Sequence, residues 1–214
     1  MSDVTEQSPS QLAYGRTEWD DHHHLPTNTG LTNEKVTMWA FLGSDCLLFG
    51  ALISTYLLLR NRVGPATEGP TAADLFDIPF TSVSSFVLLM SSLTMVLAVT
   101  SIQRGEMDRC KLWLLTTAAL GAIFIAGQVY EFTSFYREGL GFTTNISSSA
   151  FYTLTGFHGV HVSLGIVMLV TMWVLVSGGQ IGAERAETIE IIGLYWHFVD
   201  IVWIVIFAVV YLIP

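Results

Sequence analysis

Six ionisable side chains lie inside long apolar stretches of this sequence, where such groups are rare. They are three carboxyls and three imidazoles, namely Asp45, Glu131, Asp200, His158, His161 and His197. Both kinds of group can hold a proton or ligate a metal. Because they are costly in hydrocarbon, they normally face a protein interior or water. These six residues are therefore the candidates for any chemistry that the chain performs.

Four of these residues form two pairs with a spacing of three, so each pair shares one face of a helix. The pairs are His158 with His161 and His197 with Asp200. Two histidines could ligate a metal, but metal sites normally recruit further His, Cys or carboxylate ligands. We therefore predict no metal site, and we interpret both pairs as structural polar clusters. A proton relay through His197 and Asp200 is the less favoured alternative.

The two remaining acids differ in their surroundings. Glu131 follows Gln128 on one helix face and is predicted to be a structural anchor near a membrane surface. Asp45 is deep and isolated among Phe and Leu residues. A lone acid at membrane depth favours a functional role, so we take Asp45 as the candidate proton-handling residue. A neutral acid that binds a backbone carbonyl is an equally supported reading.

Five long apolar stretches without Lys or Arg carry these residues. They are 36–59, 80–103, 112–136, 150–176 and 191–213. A bilayer core of about 30 Å needs about 20 apolar helical residues to cross it, and each stretch is long enough. The fold class is therefore all-α, a polytopic membrane bundle of five transmembrane helices, within a domain of residues 35–214.

The first 34 residues have a different composition. Residues 1–34 are acidic and rich in Ser, Thr, Asn and His, which is typical of a disordered tail. The net charge of the whole chain is −9, and it has no basic patch. We therefore expect no nucleic-acid partner.

Basic residues near the helix ends predict the orientation. Most of the bias comes from the loop 104–111, which places the N-terminus in the cytoplasm and the C-terminus outside. Counting residues from the helix ends then gives two layers. The expected inner cluster is Asp45, His197 and Asp200, and the expected outer cluster is Glu131 and His158. Each carboxyl is protonated, hydrogen-bonded to an imidazole, or paired with a partner subunit.

Several segments, in the same order, resemble subunit III of the haem–copper terminal oxidases. These are FLGSDCLLFGALISTYLLL (41–59), GQVYEF (127–132), GFHGVHVSLG (156–165) and YWHFVDIVWIVIFAVVYLI (195–213). The resemblance covers about residues 33–213 and fits a five-helix bacterial form. The acid of the first matched family helix falls on Asp45. Cytochrome c oxidases commonly carry Glu there, and Asp occurs in the quinol-oxidase branch.

The resemblance implies a non-redox subunit of a proton-pumping aerobic oxidase in the bacterial plasma membrane. Its expected partners are the catalytic subunit I, subunit II, a small subunit IV and membrane lipids. Haem and copper belong to the partner subunits, whereas this chain holds no redox centre and binds phospholipid. The implied role is to support assembly and sustained proton uptake, with cytochrome c favoured as the electron donor.

Three alternatives remain open at this point. The chain could be subunit III of a quinol oxidase or a homologue associated with nitric oxide reductase. It could be an autonomous proton-coupled transporter, although transporters usually show internal repeats and broken helices that are missing here. It could also be a membrane enzyme with a histidine-based metal site.

Overall fold

The computed structural model describes residues 32–60 and 76–213, and these residues contain five helices that are long and apolar enough to cross a membrane. The helices are α1 Asn33–Leu59, α2 Ile78–Gln103, α3 Met107–Arg137, α4 Ile146–Ser177 and α5 Ala186–Phe207. A 3₁₀ turn, Ala183–Arg185, precedes α5, and a π-helical segment, Ala208–Leu212, follows it. The described residues contain no strand. The predicted all-α bundle of five membrane helices is confirmed.

All five helices begin before the apolar stretches that indicate them, and three of them begin four or five residues earlier. Helices α3, α4 and α5 start at Met107, Ile146 and Ala186 rather than at 112, 150 and 191. A helix satisfies its own backbone and can therefore continue through polar residues at the headgroup level. At the start of α3 these polar residues pair within one turn, since Lys111 contacts Asp108 at 3.2 Å. The 31 residues of α3 span about 46 Å at about 1.5 Å per residue.

Local signals fix the helix ends. The Asp77 side chain accepts a hydrogen bond from the Phe80 N–H and caps α2. Asn145 and Ser148 form a reciprocal capping box at the start of α4. Gly139 and Gly179 follow the ends of α3 and α4 with φ angles of 90° and 70°, a left-handed conformation that glycine adopts without a steric penalty.

From Met38 onward, the described residues form one compact unit. The other unit, Met1–Thr37, is described only at residues 32–37, of which 33–37 belong to α1. The predicted tail falls almost entirely outside the described residues. Within the larger unit, α2 packs against α3 and α5, and α4 packs against the same two helices. These four helices therefore form a closed ring.

The centre of the ring is filled by Trp196 of α5, which is 1% exposed. Two glycines allow its indole to approach the neighbouring helices closely. A Cβ atom added at Gly121 of α3 would lie 2.6 Å from the indole, and one added at Gly165 of α4 would lie 2.8 Å from it. The indole N–H donates to the Ser91 hydroxyl of α2 at 3.0 Å. One side chain thus joins α5 to the three other helices of the ring.

Candidate functional site

Asp45 of α1 lies beside the imidazole of His161 on α4. Asp45 is 6% exposed, and its Oδ2 lies 3.6 Å from Nε2 of His161. The ring of Phe49, one turn further along α1, packs edge-on against the His161 ring with centroids 5.0 Å apart. The Tyr195 hydroxyl of α5 donates to the His161 carbonyl at 2.9 Å. Three helices therefore enclose the Asp45–His161 pair.

The other nitrogen of His161 determines how this pair can hold a proton. Nδ1 lies 2.7 Å from the Phe157 carbonyl oxygen. A carbonyl only accepts hydrogen bonds, so Nδ1 carries a hydrogen and Nε2 faces Asp45. Oδ2 of Asp45 has no hydrogen-bond partner among the described residues. A net-neutral pair then requires one further proton, on Oδ2 or on Nε2. A shift of a few tenths of an ångström would bring these two atoms into hydrogen-bonding distance.

His158 has no polar contact in the described part of the chain. It is completely buried, and neither ring nitrogen has a hydrogen-bond partner there. Its ring stacks on Trp203 at a centroid distance of 4.9 Å and meets the edges of Phe49 and Phe124. The residue behaves as a packed aromatic between α1, α3 and α5. No hydrogen bond joins it to a carboxyl of the described residues.

Glu131 is held by two hydroxyls instead of by His158. Thr81 of α2 donates to Oε1 at 2.9 Å, and Tyr211 donates to Oε2 at 3.2 Å. Tyr211 lies in the π-helical segment after α5, where an extra residue per turn changes the direction of the side chains. Glu131 therefore fastens α3 to α2 and to the end of α5. The expected outer cluster of Glu131 with His158 is wrong, because Glu131 finds its partners on α2 and the π segment.

His197 and Asp200 meet on a serine of α2. The Ser92 hydroxyl lies 2.6 Å from Nδ1 of His197, and the Asp200 carboxyl lies close to the same hydroxyl. Asp200 is 3% exposed, and its Oδ1 has no partner within residues 32–60 and 76–213. The pair thus forms an interhelical polar cluster with Ser92.

Asp45 does not join this cluster, so the expected inner cluster of three residues is wrong for Asp45. The two-layer estimate placed Asp45 and His161 in opposite halves of the membrane. At about 1.5 Å per residue, Asp45 lies about 18 Å from the start of α1 and His161 about 23 Å from the start of α4. These helices are about 40 Å and 48 Å long on the same scale. Both residues are therefore near mid-span, where they meet.

The sequence reasoning missed the hydroxyl partners. Ser92, Thr81, Tyr195 and Tyr211 receive no role from spacing alone, since Ser and Thr often bond to their own helix backbone. A signal was present in the run of hydroxyls along α2, several of which face other helices. In the described residues, no three His, Cys, Asp or Glu side chains converge as a metal site would require.

The five described helices agree with the five-helix membrane subunit that the sequence resemblance implies. The family model for cytochrome c oxidase subunit III matches residues 15–213. This chain belongs to the cytochrome c oxidase subunit III family. It is therefore a subunit of the haem–copper oxidase type, and its membership implies a complex with other oxidase subunits.

Curated relatives of this subunit III chain include proteins named for both kinds of electron donor. The chain is 38% identical to cytochrome c oxidase subunit 3 of Bacillus sp. (strain PS3), over 84% of this chain and 86% of the relative. It is 36% identical to cytochrome bo(3) ubiquinol oxidase subunit 3 of Pseudomonas aeruginosa, over 90% of each. A probable quinol oxidase subunit 3 of Staphylococcus saprophyticus is also 36% identical, over 84% of this chain and 88% of the relative.

Proposed function

We propose that this subunit III supports sustained proton uptake by the catalytic subunit of a proton-pumping oxidase, and that Asp45 is the residue that handles the proton. The supporting observation is the geometry of Asp45 and His161. The buried Asp45 carboxyl faces Nε2 of His161, and Nδ1 of the same ring already donates to the Phe157 carbonyl. Such a pair can take up or release one proton, which Oδ2 or Nε2 holds, without movement of a helix.

Replacement of Asp45 tests this role. Asp45→Asn keeps the shape of the side chain but cannot exchange a proton, so we expect the purified oxidase to assemble and to lose turnover rate or to inactivate faster during turnover. Cys46→Ala is the matched control, because Cys46 is the next residue of α1 and is exposed. Haem content per subunit measures assembly in both variants. Equal turnover and inactivation rates in the two variants would contradict the role of Asp45.

We further propose that the redox chemistry belongs to the partner subunits, with haem and copper in the catalytic subunit I, and that subunit II and a small subunit IV complete the complex. Cytochrome c is the proposed electron donor. The quinol-oxidase names among the relatives support quinol as the second candidate. Purification of the tagged chain from its native membrane, followed by oxidation assays with reduced cytochrome c and with a quinol, distinguishes the two. An isolated chain without a haem-containing partner would contradict the proposal.

The proposed location is the bacterial plasma membrane, with the N-terminus in the cytoplasm. Arg104, Arg109 and Lys111 flank the α2–α3 loop and support this orientation. Arg109 and Lys111 pair with acidic neighbours, but orientation follows the number of Lys and Arg residues rather than the net charge.

A phospholipid acyl chain is the proposed occupant of a groove between α3 and α4. The groove has a volume of about 370 Å³ and is lined mainly by apolar side chains, among them Ile125, Val129, Val160 and Leu164. It is open at Gly156, where an added Cβ atom would have no neighbour within 4 Å. The polar Gln128 at its wall is satisfied, since its Nε2 donates to the Thr155 carbonyl at 2.8 Å.

Filling the groove tests the lipid proposal. Gly156→Leu places a side chain in the acyl-chain position, so we expect less phospholipid to co-purify per complex, as measured by mass spectrometry of extracted lipids. Gly43→Leu is the matched control, because Gly43 on α1 also has open space around it. Equal lipid content in the two variants would contradict occupancy of this groove.

A further inference from the structure

The Ser92–His197 contact lies in the middle of the membrane. Ser92 is near the centre of α2, and His197 is near the centre of the span Ala183–Leu212. At about 1.5 Å per residue, His197 is about 20 Å from either end of that span. A lipid-facing side chain at this depth lies among acyl chains rather than at the headgroup level.

His197 nevertheless stands at the outer surface of the helix ring. Its side chain is partly exposed, and Nδ1 is occupied by Ser92. Nε2 has no hydrogen-bond partner among the described residues and is not among the buried atoms. Large apolar side chains within two turns of Ser92 on α2 and of His197 on α5 are exposed too. We call this surface the His197 face, defined by Leu89, Val96, His197, Ile201 and Ile204.

The hydrogen bond between Ser92 and His197 leaves Nε2 able to bond a partner in either neutral tautomer of the ring. If the Ser92 O–H donates to Nδ1, Nε2 carries the hydrogen and is a donor. If Nδ1–H donates to the Ser92 oxygen, Nε2 is an acceptor. In both tautomers, Nε2 is a polar atom without a hydrogen-bond partner among the described residues.

A polar ring nitrogen at mid-membrane is costly against lipid tails, because hydrocarbon offers it no hydrogen-bond partner. Polar side chains at this depth face protein or water-filled cavities. Lipid would suit the apolar part of the His197 face but would leave Nε2 unsatisfied. A protein helix can satisfy both parts, since it offers apolar surface and a polar side chain or a backbone carbonyl.

We propose that the His197 face is the surface on which another subunit of the oxidase docks, through a transmembrane helix that presents a hydrogen-bonding group to Nε2 of His197. This proposal rests on the proposed assignment of the chain to an oxidase complex. It is independent of the roles proposed for Asp45 and for the α3–α4 groove, which lie elsewhere on the chain.

Site-specific photo-cross-linking in the purified complex tests the docking surface. A benzophenone amino acid is introduced at Ile201, which is 59% exposed on the His197 face, or at Val167, which is 63% exposed beside the α3–α4 groove. After illumination, we expect Ile201 to give an adduct with another subunit, identified by mass spectrometry, and Val167 to give mainly lipid adducts. Lipid adducts alone at Ile201 would overturn the proposal. An adduct between two copies of this chain would also overturn it.

Paired substitutions of His197 test the hydrogen bond. His197→Leu removes the polar ring nitrogen, whereas His197→Gln retains a side chain that can donate or accept a hydrogen bond. We expect His197→Leu to raise the rate at which the chain dissociates from the complex in detergent by about fivefold to tenfold, and His197→Gln to have a smaller effect. Circular dichroism of the released chain checks that both variants are folded. Equal dissociation rates for the two folded variants would overturn the role of Nε2.

The two experiments separate this proposal from the assignment of function. If the purified chain carries no haem-containing partner, the assignment to an oxidase complex fails. If it carries that partner but Ile201 reacts only with lipid, the assignment stands and the docking surface fails.

Discussion

The close approach of Trp196 to Gly165 leads to a quantitative prediction. Gly165→Ala adds a Cβ atom 2.8 Å from the indole ring, which is well inside van der Waals contact. The indole cannot move away, because it is 1% exposed and Gly121 faces its other side at a similarly short distance. Overpacking of this kind costs about 1–3 kcal/mol. The ratio of folded to unfolded chain should therefore fall by about 5-fold to 150-fold.

Gly156→Ala provides the control for this prediction. It is the same substitution on the same helix, and its added Cβ atom meets nothing within 4 Å. Both variants gain the same intrinsic helix propensity from alanine, so the difference between them isolates the steric effect at Trp196. The free energy of unfolding is measured for the purified chain in mild detergent by titration with sodium dodecyl sulfate, followed by circular dichroism. Equal unfolding free energies would refute the packing of α4 against α5 through Gly165.

Two further predictions concern the buried polar residues. Tyr211→Phe leaves Oε2 of Glu131 without its hydrogen-bond donor and should lower the unfolding free energy by about 1–3 kcal/mol. Tyr136→Phe is the control, because Tyr136 is 75% exposed, and it should change the unfolding free energy little in the same titration. His158→Leu removes an imidazole whose nitrogens have no partner in the described residues, so assembly, measured as haem per subunit, should be retained. His161→Leu should reduce assembly because Asp45 loses its neighbour. A larger loss of assembly in His158→Leu than in His161→Leu would show that the His158 nitrogens are used.

The membrane helices could be predicted from the sequence because one constraint dominates them. A spanning segment must be apolar for about 20 residues and must satisfy its own backbone. Both conditions are visible in 36–59 and in the four other stretches. The helix starts were harder to predict, since the polar first turns of α3 and α5 lie at the headgroup level, where the side chains need not be apolar.

The candidate residues could be predicted individually, but their partners could not. Asp45, Glu131 and His197 stand out because charge is rare at membrane depth. Which of them meet depends on the order of helices around the ring and on the depth of each residue. A displacement of a few residues in a helix start changes the estimated depth by several ångströms, and this was enough to assign Asp45 to the wrong neighbours. The hydroxyl partners Thr81 and Ser92 carry no comparable signal.

The separation of Asp45 from His161 along the chain has a consequence for biosynthesis. α1 is made first, and the histidine that faces its acid follows more than a hundred positions later. At about 5–20 residues per second, this delay lasts on the order of ten seconds. During that time the nascent α1 carries a carboxyl that none of the helices completed so far can satisfy. The insertion machinery must therefore shelter α1, or the acid must enter the bilayer as its neutral form, until α4 has emerged from the ribosome.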